Sequence, residues 1–167
     1  MTAPSPDLLA KVREILEAGG GEPLDAAGTS RFLLLVTLDS GARCGLDHEA
    51  RWVLLPEDSR AAARYTPEAA YLFHEALEWE RGRFDDAVES AAKAQGLPAE
   101  EVLFSFPAVE VIRAVLAKQA AYLTRLALQW ALPTELRALR REIQEVTVTP
   151  GMPLPVKELA GRLTVPE

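Results

Sequence analysis

RFLLLVTLDSGARCGLDHEARWVLLPED, residues 31–58, is the stretch on which the fold turns. Large and β-branched apolar residues run from Phe32 to Leu38, Ser40-Gly41 interrupts them, and Arg43-Cys44-Gly45-Leu46 resumes the run. That is the pattern of a hairpin about a glycine-containing turn. Asp47-His48-Glu49-Ala50 makes a second turn and Arg51–Leu55 a third strand, ended by Pro56. The expectation is a three-stranded antiparallel meander. Leu33, Leu34 and Leu35 are apolar on both sides of the pleat, which puts their strand centrally or under cover on both faces.

Working outward, residues Asp7 to Ala18 repeat apolar side chains at Leu8, Leu9, Val12, Ile15 and Leu16, the spacing of an amphipathic helix. The glycines at 19–21 stop it, MTAPSP before it is expected to fray, and a loop through Pro23 and Gly28 leads into the meander. From Asp58 onward the chain reads as helical. Thr66-Pro67-Glu68 is a helix start, with a hydroxyl cap, a proline at the first position and an acid at the positive dipole end. This helix is expected to reach about Arg81, with Gly82 as its left-handed C-cap. A second spans about Phe84–Gln95 and ends at Gly96, and a short turn of helix begins at Pro98. Residues 107–131 are apolar nearly all round, from Val109 to Trp130, and read as one long central helix. Pro133 ends it, and Thr134 caps a charged helix, TELRALRREIQ. The tail from residue 146 is β-prone and then proline-rich, which suggests extended chain, an added strand and at most one helical turn.

The expected class is therefore α+β: an N-terminal helix and three-stranded antiparallel meander (residues 7–56), then a helical bundle around a long apolar helix (57–145) and the tail (146–167). One domain accommodates all 167 residues, with a core that needs no disulfide or structural metal. Hydrophobic residues make up 49% and charged residues 26%, the balance of a folded protein and not of a disordered one.

The formal charge of −7 disfavours attraction to phosphate backbones and anionic membranes, so nucleic acid is not the expected partner. Of the 18 basic residues only Lys11, Lys93, Lys118 and Lys157 are lysine, an arginine-for-lysine bias associated with GC-rich bacterial genomes. Cys44 is the single cysteine, so no internal disulfide can form. The N-terminal sequence lacks the regions of a signal peptide and no apolar run is long enough for a membrane span, which makes cytoplasm the expected compartment.

FHEALEWERGRFDDA, residues 73–87, crowds a histidine and carboxylates together. On an α-helix His74 and Glu78 share a face with Arg81, and His-Glu-x-x-Glu differs by one residue from the zinc-binding His-Glu-x-x-His. His74 and Glu78 are thus the metal candidates, although the second histidine is missing. Helical projection puts Leu72, Phe73, Ala76, Leu77 and Trp79 on the buried arc and His74, Glu75, Glu78 and Arg81 opposite, as a solvated ion-pair face. Glu80 projects into the apolar arc, which makes it the candidate buried carboxylate. Cys44 and His48 flank one turn, but Cys44 alternates with Leu46 and reads as a small apolar strand residue. No phosphate loop, dinucleotide fingerprint, paired cysteines or nucleophile elbow occurs, so no cofactor is expected. Arg137, Arg140 and Arg141 form a basic feature interleaved with Glu135, Glu142 and Glu145, and Trp130, Met152 and Leu154 are apolar residues that could meet a partner.

Two short resemblances arise. RGRFDDAVESAAKA (81–94) resembles the second half of a tetratricopeptide repeat, with Gly82 at the turn and Phe84, Ala87, Ala91 and Ala94 packing toward a neighbouring helix. Residues 89–116 are similar to the helix–turn–helix of tetracycline-repressor-type regulators, which implies that residues 98–104 enter a major groove. That segment carries Glu100 and Glu101 where such a helix ordinarily meets phosphate. The two overlap and place the same residues differently, so neither defines a family. The functional expectation is a small non-catalytic cytoplasmic bacterial protein that binds another protein, as an adaptor, chaperone-like, immunity or assembly factor, with residues 107–131 available for self-association. A degenerate helix–turn–helix regulator is the alternative, and an enzyme using Glu75, Glu78 or Glu80 is third.

Overall fold

The structure, a computed structural model, describes residues 3–25, 27–58 and 61–164. Met1 and Thr2 of the stretch expected to fray, and the last three residues of the tail, lie outside the described residues. The class is α+β. Helix α1 (Pro6–Glu17) opens at Ser5, whose Oγ accepts from Leu8 N, so Ser5 and Pro6 belong to a capped helix start and not to a frayed end. Leu8, Val12 and Leu16 bury the face that α1 lays on the sheet.

The meander forms as β2 (Arg31–Thr37), β3 (Arg43–Leu46) and β4 (Trp52–Leu55), widened at its edges by the two-residue strands β1 (Glu22–Pro23) and β5 (Ala63–Arg64). All neighbours are antiparallel in the order β1-β2-β3-β4-β5. Both faces are covered. Leu33, Leu35, Val36, Cys44, Leu46, Trp52 and Leu54 join the main core with the helices, while Phe32, Val53 and Leu55 form a small second cluster with Leu24. A bulge between Leu34 and Val36 lets two consecutive residues, Leu35 and Val36, enter the main core. Beyond its short pairing with β1, β2 meets helix α2 (Arg81–Ala94), and Gln95 Nε2 donates to Leu34 O at 2.9 Å across that edge.

Residues 67–78 are not α-helical as expected. Thr66 and Pro67 begin the segment as read, with Thr66 Oγ1 accepting from Ala69 N, but Pro67–Glu78 winds as a 3-10 helix. With about three residues per turn, positions three apart align. Ala70, Phe73, Ala76 and Trp79 form one buried column, Tyr71, His74 and Leu77 a second, and Leu72, Glu75 and Glu78 the outermost. Four consecutive core residues at intervals of three favour this winding over the α form. The segment ends at Glu78, so Arg81 begins α2 and Gly82 lies inside that helix instead of capping the previous one.

The long helix expected over 107–131 is two helices, α4 (Ala108–Ala117) and α5 (Ala121–Trp130), after the short α3 (Ala99–Ser105). The chain folds back at Gln119, which takes φ 57°. A helix apolar on every side needs partners on every side. Reversal meets that need within the chain: Val111, Ile112, Val115 and Leu116 of α4 and Ala127, Leu128 and Trp130 of α5 are buried, leaving Lys118, Gln119 and Tyr122 outside. Residues 133–139 are turns and α6 starts only at Arg140 (Arg140–Thr147). The tail is neither an added strand nor extended chain but α7 (Leu154–Leu163), which packs on α5 and α6 through Val156 and Ala160. Pro153 and Pro155 sit at its first turn, where a missing N–H costs no helical hydrogen bond. None of the helices among the described residues is long and apolar enough to cross a membrane.

Candidate functional site

The 3-10 winding takes apart the site that His-Glu-x-x-Glu suggested. Residues four apart are displaced by about 120° around a helix of three residues per turn, so His74 and Glu78 stand in different columns. His74 is half-buried and stacks on Tyr71 at 4.9 Å between ring centroids, with Nδ1 buried and without a hydrogen-bond partner. Glu78 is exposed and accepts from Tyr122 Oη at 2.6 Å; this hydrogen bond, which favours the neutral phenol, holds Tyr122 above its ordinary value. Glu75 accepts from Ser40 Oγ at 2.8 Å, and Glu80 is an exposed residue at the start of α2, not a buried carboxylate. Glu75 and Glu78 share the outer column but hold different partners, Ser40 and Tyr122, while Glu80 stands at the start of α2, and no cluster of metal-ligating side chains occurs among the described residues.

Cys44 and His48 do not pair either. Cys44 is buried in the main core, whereas His48 is exposed on the turn, and burial pushes the Cys44 thiol far above its ordinary value. A thiol reagent such as DTNB should therefore leave Cys44 unmodified in the folded protein and react with it at full rate once denaturant unfolds the chain. Rapid stoichiometric labelling of native protein would contradict this placement.

Of the interaction candidates, Trp130 is 2% exposed and Met152 is buried, so both serve the core. Leu154 is exposed at the start of α7. Arg137, Arg140 and Arg141 are exposed, but Arg137 precedes α6, so it does not share a helix face with Arg141; Arg141 Nε instead donates to Glu145 at 3.3 Å. The helix–turn–helix segment does contain two packed helices, α2 and α3, joined through Gly96 with φ 75°. The exposed positions of α3 are Glu100 and Phe104, while Glu101 accepts from Ser5 Oγ. In α2 the buried series is Phe84, Val88 and Ala92, and Ala94, expected to pack in a repeat, is exposed.

The structure assembles a different site. A cleft of about 630 Å3 lies between the start of α2, the α3–α4 junction and the turn after α5. Leu103, Phe106, Val109 and Leu132 contribute apolar lining, and Phe104, 80% exposed, stands at its side. Phe106 anchors the wall from inside, with Trp52 at 5.0 Å, Phe84 at 4.9 Å and Trp130 at 5.9 Å between ring centroids. The polar wall is built on Arg81. Its Nη1 and Nη2 donate to Glu135 at 2.8 and 3.1 Å, Nη1 also reaches Trp130 O at the end of α5, and Nε donates to Asp85 at 3.2 Å. The guanidinium lies 4.3 Å from the Trp130 ring centroid, and Glu135 Oε1 accepts from Leu132 N at 2.8 Å. Burial raises the Asp85 carboxyl above its ordinary value, against the lowering pull of Arg81.

No family model, curated protein or solved structure matches the chain. The cleft is thus read from its own chemistry. Phe104 was within reach of the sequence: Val102-Leu103-Phe104 puts three large apolar residues on one turn, spanning about 200° of a helix at 100° per residue, so they cannot all face one core. The Arg81–Glu135 pair, 54 positions apart in sequence, carried no such signal.

Proposed function

We propose that this chain works by binding another protein, as an adaptor, chaperone-like, immunity or assembly factor, and that the partner seats in the cleft beside Phe104. The observation that carries the reading is the exposure of that ring next to apolar lining on a wall packed from inside by Trp52, Phe84 and Trp130. Burying a Phe side chain is favourable by roughly 1.5–3 kcal/mol, and large aromatics in pockets are the residues that dominate interface energetics. The volume falls inside the range of roughly 300–1,000 Å3 typical of ligand clefts.

The test is capture from the native host by the wild-type chain and by Phe104→Asp, with the captured protein identified and the mass of the complex measured by size exclusion. A surface change of this kind leaves stability within about 0.5 kcal/mol, so the variant should fold as the wild type does by circular dichroism. The expected result is one partner in defined stoichiometry, lost from the variant. A lone monomer in both cases, or equal capture by both, overturns the proposal. Salt-sensitive retention on DNA would favour the regulator instead; α3 offers it Glu100, Glu101 and Phe104 and no cation.

A further inference from the structure

We infer that the 3-10 segment 67–78 is a two-state element that rewinds as an α-helix and, in doing so, pulls on Arg81 and the wall of the cleft; this goes beyond the protein-binding reading and does not rest on it. Runs of 3-10 helix longer than three or four residues are uncommon, because their hydrogen bonds are poorer than those of an α-helix, and a long run often marks a hinge. This one has 12 residues. Its winding leaves two groups badly placed: Leu72 is 46% exposed, and His74 Nδ1 is buried without a hydrogen-bond partner. The α form repairs both. At about 100° per residue Leu72 joins Phe73, Ala76 and Leu77 on the buried arc, and His74 comes within reach of Glu78, one turn away.

Two side-chain latches hold the 3-10 form from outside the segment. Ser40 Oγ donates to Glu75 at 2.8 Å and Tyr122 Oη donates to Glu78 at 2.6 Å. Rewinding separates these two carboxylates, which share one column in the 3-10 form, by about 60° around the axis, so both bonds cannot be kept. The rewound segment is also shorter. At a rise of about 1.5 instead of about 2.0 Å per residue, its 12 residues lose about 6 Å. The Thr66 cap and the pairing of Ala63 and Arg64 with β4 fix the N-terminal end. Trp79 and Glu80, which lead into α2, are already extended, with ψ 152° and 143°, and have no slack to give. The shortening therefore reaches Arg81, the first residue of α2, and its bonds to Glu135 and Trp130 O.

The test is NMR relaxation dispersion on the full chain, which reads exchange on the microsecond-to-millisecond scale. The expected result is a minor state of about 1–10%, seen at the amides of 67–80 and, with the same rate, at the indole N–H of Trp130, whose ring centroid lies 4.3 Å from the Arg81 guanidinium. Ser40→Ala with Tyr122→Phe removes both latches and should raise that population about fivefold. Leu72→Ser removes the apolar gain of the α form and should lower it about as much. In Glu78→His, Zn2+ bridging the imidazoles at positions 74 and 78 should trap the minor form, giving i to i+4 NOEs across 70–78 that are absent without metal. A quiet segment in both the wild type and the latch variant, Zn2+ that adds no i to i+4 contacts, or exchange in the segment with Trp130 silent would each overturn the inference. Capture of a partner through Phe104 is a separate result, and neither outcome here bears on it.

Discussion

Gly45→Ala should destabilise the folded chain by about 3 kcal/mol, at the upper end of the overpacking range. Gly45 lies in the middle of β3, paired with Leu34 on one side and Val53 on the other, beside the bulge in β2. A Cβ there would overlap the Leu33 carbonyl oxygen, stand 2.7 Å from the Leu33 carbonyl carbon and meet Phe32 Cδ2 at 3.0 Å. A ring can turn aside, but the carbonyl belongs to a strand fixed by neighbours on both sides. Relief therefore requires β2 and β3 to part, which disturbs the main core and the Phe32 cluster together. Urea denaturation should show a lower midpoint with an unchanged slope. Gly82→Ala is the control: a Cβ there meets nothing within 4 Å, the residue is exposed inside α2, and alanine should add about 0.5–1 kcal/mol. Equal behaviour of the two variants would show that close approach at Gly45 is not what the glycine provides.

The elements legible in the sequence are those whose signals are local. The meander is written in the apolar runs 32–38, 43–46 and 51–55 and in the turns between them, and the start at Thr66-Pro67 in its cap. Elsewhere local pattern is compatible with more than one winding. Ala70, Phe73, Ala76 and Trp79 recur every three residues, yet Leu72, Phe73, Ala76 and Leu77 also trace an α-helical arc, and only packing against β5, α4 and α5 selects the first. That choice decided the fate of the histidine and carboxylates. Lys118-Gln119-Ala120 contains neither glycine nor proline, so the reversal at Gln119 comes from the burial of α4 and α5 on their shared neighbours, not from a breaker. In the tail, prolines that argue against helix inside an element are well suited to its first turn, where Pro153 and Pro155 stand.

Arg81→Met should cost about 3 kcal/mol, near the lower end for breaking a buried ion pair from one side. Arg81 and Glu135 side chains are each 15% exposed, so the loss of the guanidinium leaves Glu135 with only Leu132 N and Asp85 without its nearest cation. The C-terminal carbonyl of α5 at Trp130 loses a donor as well. For a chain of this length the midpoint of thermal unfolding should fall by roughly 6–12 °C. The effect has a pH signature. Without the cation the Asp85 carboxyl, which burial already raises, loses the lowering pull of Arg81 and binds protons more readily in the folded variant than in the unfolded chain. The folded value of Asp85 is raised, so the variant loses stability as pH rises through the carboxylate range, and its deficit against the wild type should be large near about pH 7 and shrink toward about pH 4. Adding Asp85→Asn and Glu135→Gln to Arg81→Met removes the stranded charges and should recover more than half of the loss at neutral pH, since a neutral, packed replacement of a buried ionic group is often tolerated. A deficit independent of pH, or no recovery in the triple variant, would mean that the Arg81 stem and its contact with the Trp130 ring, and not the charge network, hold the wall of the cleft in place.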